Sequence, residues 1–290
     1  MQSPSKSIRR GHSVGRILLF LTLLCVAASQ PAFGQGLQEQ PDGHHSPEHT
    51  KGFTIKDLGT FPDGGYGQAA GINNRGQVVG FAITASDRGH AFLFEDGVMT
   101  DLGTFPGGDF SEATAINNRG QVVGTSNAGS GLETAFLFED GVMTDLGTLP
   151  GGDQSQAYGI NNRGQVVGEA NTASGAGHAF LFEHGVMTDL GTLPGGGGSR
   201  ATGINDRGQV VGYSSTASGA VHAFLFEDRV MADLGTIPSA AFGDFSEATG
   251  INNRGQVVGE ASTASSSGHP ALWTRDHCQS DHDEGGHQRD

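Results

Sequence analysis

The ten residues Gly-Ile-Asn-Asn-Arg-Gly-Gln-Val-Val-Gly at Gly71–Gly80 return at Ala115–Gly124, Gly159–Gly168, Gly203–Gly212 and Gly250–Gly259 almost unchanged. Two other fixed segments lie between copies, represented by His178–Phe182 (His-Ala-Phe-Leu-Phe) and Val186–Thr192 (Val-Met-Thr-Asp-Leu-Gly-Thr). Asp57, Asp101, Asp145, Asp189 and Asp233 recur every 44 residues. A fixed period of this size makes the 290-residue chain one repetitive body rather than two ordinary domains.

The third unit shows how a copy reads. Ala157–Asn161 is short and made of small residues, Asn161-Asn162-Arg163-Gly164 is turn chemistry, and Gln165–Ala170 carries a pair of valines. Gly164 can take a positive φ without penalty, and Asn tolerates that region better than most residues. Two apolar runs around such a turn predict a β-hairpin. After the loop Asn171–Gly177, Ala179–Glu183, the turn His184-Gly185 and Val186–Leu190 predict a second hairpin. Four strands in 44 residues is the size of a propeller blade. Ala-Phe-Leu-Phe does not alternate as a one-faced strand would, so both its faces need cover, as in a blade held between neighbours. The small first strand fits the crowded centre.

The ends bear on closure. The repeats begin with Phe53–Leu58, which matches only a fourth strand, and finish with Pro270–Thr274, which matches only a third. Pairing the leading strand with the last unit would complete five blades and protect the sheet edges. An open stack would need polar capping units, and the sequence offers none. The expected fold class is therefore all-β, a five-bladed β-propeller of four-stranded repeats closed by the N-terminal strand.

Composition agrees: 49 glycines and 16% charged residues suit short strands and tight turns. Residues 1–34 read as a signal peptide, with Lys6, Arg9, Arg10 and Arg16 ahead of the uncharged run Ile17–Ala28. Cleavage is expected after Ser29 or Gly34. The run is shorter than the ~20 residues of a membrane span, so the protein is expected to be secreted. Removing those four cations from 16 leaves 12 against 31 acids, a formal charge of −19, which disfavours nucleic acid and acidic lipid as partners. Only Cys278 remains after cleavage, so no disulfide forms within the chain. Residues 35–51 read as a disordered linker, 52–275 as the propeller, and 276–290 as a disordered tail rich in His and Asp.

The segments Ile-Asn-Asn-Arg-Gly-Gln-Val-Val-Gly, His-Ala-Phe-Leu-Phe and Asp-Leu-Gly-Thr-Leu-Pro-Gly-Gly resemble the extracellular HAF-repeat family of bacteria, over Gly52 to Trp273. The resemblance implies a secreted bacterial repeat protein of propeller-like form and brings no established reaction. Thr134 stands in place of the repeat's His, Pro270 in place of its Ala, and three residues are inserted around Ser239–Gly243.

Three groups of residues could carry function. Arg75, Arg119, Arg163, Arg207 and Arg254 share one turn position. They could ring a face and hold an anion, but a structural role beside acids such as Asp96 or Asp140 is preferred. His90, His178, His222 and His269 precede the third strand and face the repeated Asp, which predicts a register-fixing bond in each blade. The loops between fourth and first strands and between second and third vary from unit to unit, as a diversified binding surface does. Asp109, Phe110, Asp153, Asp244 and Phe245 are the candidate ligand contacts there. The expected ligand is a glycan or a protein, the expected state a monomer, and no cofactor, metal or catalytic residue is assigned. The enzyme alternative is a glycosidase using Glu112 and Glu247, since that chemistry needs two carboxylates; a structural surface or matrix component is a third reading.

Overall fold

The computed structural model describes residues 54–237, 244–264 and 268–275. The expected signal peptide, linker, C-terminal tail and Ser239–Gly243 insertion lie outside them. The unit Ile55–Asp290 carries nineteen strands and, among the described residues, no helix.

The strands form five antiparallel sheets in chain order. Sheet one holds β1 (Gly67–Ile72), β2 (Val78–Ile83), β3 (Gly89–Glu95) and β4 (Val98–Asp101). Sheet two holds β5 (Ser111–Ile116), β6 (Val122–Asn127), β7 (Glu133–Glu139) and β8 (Val142–Asp145). Sheet three is β9 (Ser155–Ile160), β10 (Val166–Asn171), β11 (Gly177–Glu183) and β12 (Val186–Asp189). Sheet four is β13 (Ser199–Ile204), β14 (Val210–Ser215), β15 (Val221–Glu227) and β16 (Val230–Asp233). Sheet five has three strands, β17 (Ser246–Ile251), β18 (Val257–Ala261) and β19 (His269–Trp273). The five first strands are innermost, and the turns that follow them, Ile-Asn-Asn in four of the sheets and Ile204-Asn205-Asp206 in sheet four, line one cavity of about 420 Å³. The sheets therefore stand around a common axis, as propeller blades do.

The repeated turn explains the convergence. Asn73 Oδ1 accepts from the N–H groups of Arg75 (3.0 Å) and Gln77 (3.1 Å), while Gly76 takes φ +78°. Its Nδ2 donates to Gln77 Oε1 (2.6 Å) and to the carbonyl of Asn117 in the next sheet (2.9 Å). The same bond runs from Asn117 to Asn161, Asn161 to Asn205 and Asn205 to Asn252. A buried amide with every group satisfied fixes geometry strongly, so one side chain both closes a hairpin and sets the distance between sheets. Gly80 is needed for another reason: a Cβ there would lie 1.9 Å from the Gln68 carbonyl oxygen.

Sheets pack face to face. Val79 and Ala91 of sheet one meet Ala113, Val122 and Phe136 of sheet two together with Leu102 and Phe105 of the β4–β5 connection, and sheets two/three and three/four repeat the arrangement. Both faces of the Ala-Phe-Leu-Phe strand are thus covered. The outer turn places Asp96 (φ 51°) and Gly97 (φ 85°) in the left-handed region, the pattern of a two-residue hairpin turn that matches strand twist. Three of the expected His–Asp bonds are present: His90–Asp101 (2.9 Å), His178–Asp189 (2.9 Å) and His222–Asp233 (2.8 Å).

The leading segment differs from expectation. Residues 54–58 form no strand and Ile55 is fully exposed, while among the described residues sheet five has three strands. The anchoring side chains further along explain this placement. Leu58 and Phe61 pack on Ala82, Phe92 and Phe94 of sheet one, and Lys56 Nζ lies 5.2 Å over the Phe94 ring. These contacts hold the segment to the first sheet.

Candidate functional site

Near-identical repeats make their differences informative. The second residue of the inner strand is Gln68, Glu112, Gln156, Arg200 or Glu247, and its fourth is Ala70, Thr114, Tyr158, Thr202 or Thr249. The fourth residue of the second strand is Phe81, Thr125, Glu169, Tyr213 or Glu260. Pairing places Glu112 opposite Thr125, Gln156 opposite Glu169, Arg200 opposite Tyr213 and Glu247 opposite Glu260. All lie toward the strand ends that join the long loops, away from the Asn turns. The intervening Ala, Val-Val-Gly and Phe positions are fixed because they pack between sheets.

Arg200 is the centre of the group. Its Nε and Nη2 both donate to Glu169 Oε2 of the preceding sheet at 2.6 Å. Its guanidinium carbon sits 5.1 Å from the Tyr158 ring centroid and 5.7 Å from that of Tyr213. A cation against aromatic faces and a carboxylate is held by charge, quadrupole and hydrogen bonding together. Burial works against the Arg200 charge, but Tyr158, Glu169 and Tyr213 outweigh it and hold the group above its ordinary value. Burial pushes the Tyr158 hydroxyl up to about 12, with Arg200 opposing, and that hydroxyl donates to Gln156 Oε1. Gln156 Nε2 in turn reaches Glu133 Oε2 at 3.4 Å.

Two carboxyls flank this centre. Glu112 is raised, by burial first and then by the nearby Glu133. Glu247 is raised by burial and by Glu260, with Arg200 pulling the other way. Groups perturbed by desolvation plus a charged neighbour concentrate where proteins bind or react. Every raised group lies in this cluster; the other shifted one, Asp206, is lowered by its hydrogen bonds, first from the Asn162 backbone.

The candidate loop residues have local partners. Asp109 accepts from Asn127 Nδ2 (2.7 Å) and pairs with Arg88 (2.8 Å). The Phe110 ring packs beside Gly89, and its N–H donates to Asn127 Oδ1 (2.9 Å). Asp153 accepts from Asn171 Nδ2 (2.9 Å). Phe245 bridges to Val221, and Asp244 beside it is exposed. These residues stitch the loops together, and the variable strand positions form the more connected group.

The arginines of the Asn turns bond differently from the acid pairing expected. The Arg119 guanidinium donates to Gln121 Oε1 from Nη2 (2.8 Å) and Nε (3.1 Å), and Arg163 Nε donates to Gln165 Oε1 (3.1 Å). Arg75, Arg207 and Arg254 share the backbone bond to the turn Asn. Asp96 and Asp140 instead hold left-handed turn tips. Sequence reading missed Tyr158, Glu169, Arg200 and Tyr213, because it sought variation in loops; the signal was variation at alternate strand positions.

Among the described residues no helix is long and apolar enough to cross a membrane, and no group of three or more His, Cys, Asp or Glu could hold a metal. No family model matches the sequence, and no curated protein does. Among solved structures the chain is similar to TolB from Acinetobacter baumannii, with TM-score 0.46 and 10% identity over 71% of this chain and 54% of that one. It is also similar to a gluconolactonase, XC5397 of Xanthomonas campestris, with TM-score 0.38 and 12% identity over 71% of this chain and 76% of that one. The chain thus spans about half the length of the TolB structure.

Proposed function

We propose that this chain is a secreted, non-catalytic binding scaffold: a monomeric five-bladed propeller, closed by its leading segment, that takes a glycan at the loop end of its inner strands. One observation carries the reading: repeats fixed elsewhere differ at strand positions that converge on Arg200. Scaffold positions are held constant by packing, and a surface that selects a ligand is where they diverge. Tyr158 and Tyr213 supply ring faces, while Glu112, Glu133, Gln156 and Glu169 supply acceptors for hydroxyl groups. The resemblance to HAF repeats and the N-terminal sequence support export.

A glycan array probed with the full mature chain, followed by calorimetry on the best oligosaccharide, tests the reading. Tyr158→Ala should weaken that binding at least about tenfold, the scale of a central aromatic contact. Silence across the array, with capture of a protein ligand instead, would refute the glycan assignment.

The raised carboxyls of Glu112 and Glu247 favour one second reading, a glycosidase in which either would serve as proton donor. Turnover on a polysaccharide panel that disappears in Glu112→Gln would replace the binding reading with that one.

A further inference from the structure

Four interfaces between successive sheets contain the same buried strut. The N–H of Ala91, Ala135, Ala179 and Ala223 donates to the hydroxyl of Ser111, Ser155, Ser199 and Ser246 on the next sheet, at 2.8–2.9 Å. Each serine passes its own proton to the carbonyl of Gly103, Gly147, Gly191 or Gly235, at 2.5–2.7 Å. The two ends of the array depart from this pattern together. On the inner strand of sheet one the serine position is Gly67, which pairs with Ala82 as Ser111 pairs with Ser126. On the third strand of sheet five the alanine position is Pro270, which pairs with Glu260 as Ala91 pairs with Phe81. Proline has no N–H to give, and glycine has no hydroxyl to receive one. Either change inside the array would break the strut; facing each other, they leave no N–H without its hydroxyl and no hydroxyl without its N–H.

We infer that the β18–β19 face of sheet five docks on sheet one of the same chain, forming a fifth interface with Pro270 against Gly67. This deepens the closed-propeller reading by naming the docking surfaces, and it does not depend on what ligand binds. The apolar surface agrees. Val258 is 50% exposed, whereas its counterparts Val79, Val123, Val167 and Val211 are 0%. Leu272 is 63% exposed, and Ile72 is 69% against 9% for Ile116. Sheet one carries two grooves of about 500 and 380 Å³, lined among others by Leu58, Ala69, Ile72, Val78, Phe92 and Met99. The corresponding residues of sheet two enclose Val79, Ala91 and Leu93 of its neighbour. Val258, Pro270 and Leu272 are the matching insert. A bare face of this kind marks a docking surface. The same chain is the partner because Asn73 and Asn74 of sheet one and Asn252 and Asn253 of sheet five already share the walls of the axial cavity.

A double-mutant cycle on the full mature chain tests the contact. Gly67→Ser and Pro270→Ala each break the match alone, and together they rebuild the interior strut. The unfolding constant of the double variant should be at least about threefold smaller than the single effects multiply to, within the range measured for touching residues. Single effects that simply multiply would overturn the inference, because residues on separate surfaces do not couple. Sedimentation at two concentrations decides the partner. Coupling in a monomer supports docking within one chain, and coupling seen only in dimers overturns it. Glycan binding is read separately, so failure there leaves this result standing.

Discussion

At the scale of residues, left-handed backbone shows where the repeat is imperfect. The outer turns place Gly97, Gly141 and Gly185 at φ 79–85°, but the fourth unit puts Arg229 there at φ 64°. A side chain in this region costs about 1–2 kcal/mol, and no bond of the fold requires this one. Arg229→Gly should raise stability by about 1 kcal/mol in urea unfolding; an unchanged midpoint would mean that the Arg makes a compensating contact. Glu112 gives a pH-dependent case. Its carboxyl is raised in the folded chain, so the native state holds that proton more tightly than the unfolded state does. Its contribution is favourable below the ordinary glutamate value and fades as pH rises through the folded one. Glu112→Gln should therefore raise the melting temperature most at neutral pH, with the difference from the parent shrinking as pH falls. A difference that stays constant from pH 4 to 7 would contradict this origin.

At the scale of elements, the interface strut makes a sharp prediction. Ser155 is buried, accepts from Ala135 N–H and donates to Gly147. Removing it strands a buried donor and acceptor, at about 1–3 kcal/mol for each unsatisfied group. Ser155→Ala should lower stability by about 2 kcal/mol or more, while the exposed Ser174→Ala should change it little. Equal small effects would show that the hydroxyl is dispensable. Much of this element structure was legible in sequence. Asn-Asn-Arg-Gly has one good backbone solution, and the strand and turn order of the third unit follows from it. The strut was not legible, because a serine opening a strand looks like any loop residue until the next sheet is placed. The binding cluster was hidden for a related reason. Tyr158, Arg200 and Tyr213 sit in two repeats, and only strand pairing within sheet four and the packing of sheet three beside it bring them together.

At the scale of the whole molecule, closure is where sequence and structure diverge. Counting strands pointed to a leading strand paired with the last unit, whereas residues 54–58 instead sit beside sheet one without strand pairing. Four-residue outer strands protect the other sheets, since short edges are poor templates for pairing; among the described residues β19 has no such neighbour. If the ring closes, the segment from Ile55 to Asp57 lies along β19 and places Asp57 beside His269, repeating the His90–Asp101 bond. Hydrogen exchange on the mature chain should then show the outward N–H groups of β19 protected to the same level as those of β15, which pair with β16. In a variant lacking residues 52–57 that protection should fall by at least about tenfold, while β15 keeps its own, because local opening is governed by each element's own bonds. Fast exchange along β19 in the intact chain would mean that the molecule remains an open array, and the closing pair would have to be abandoned.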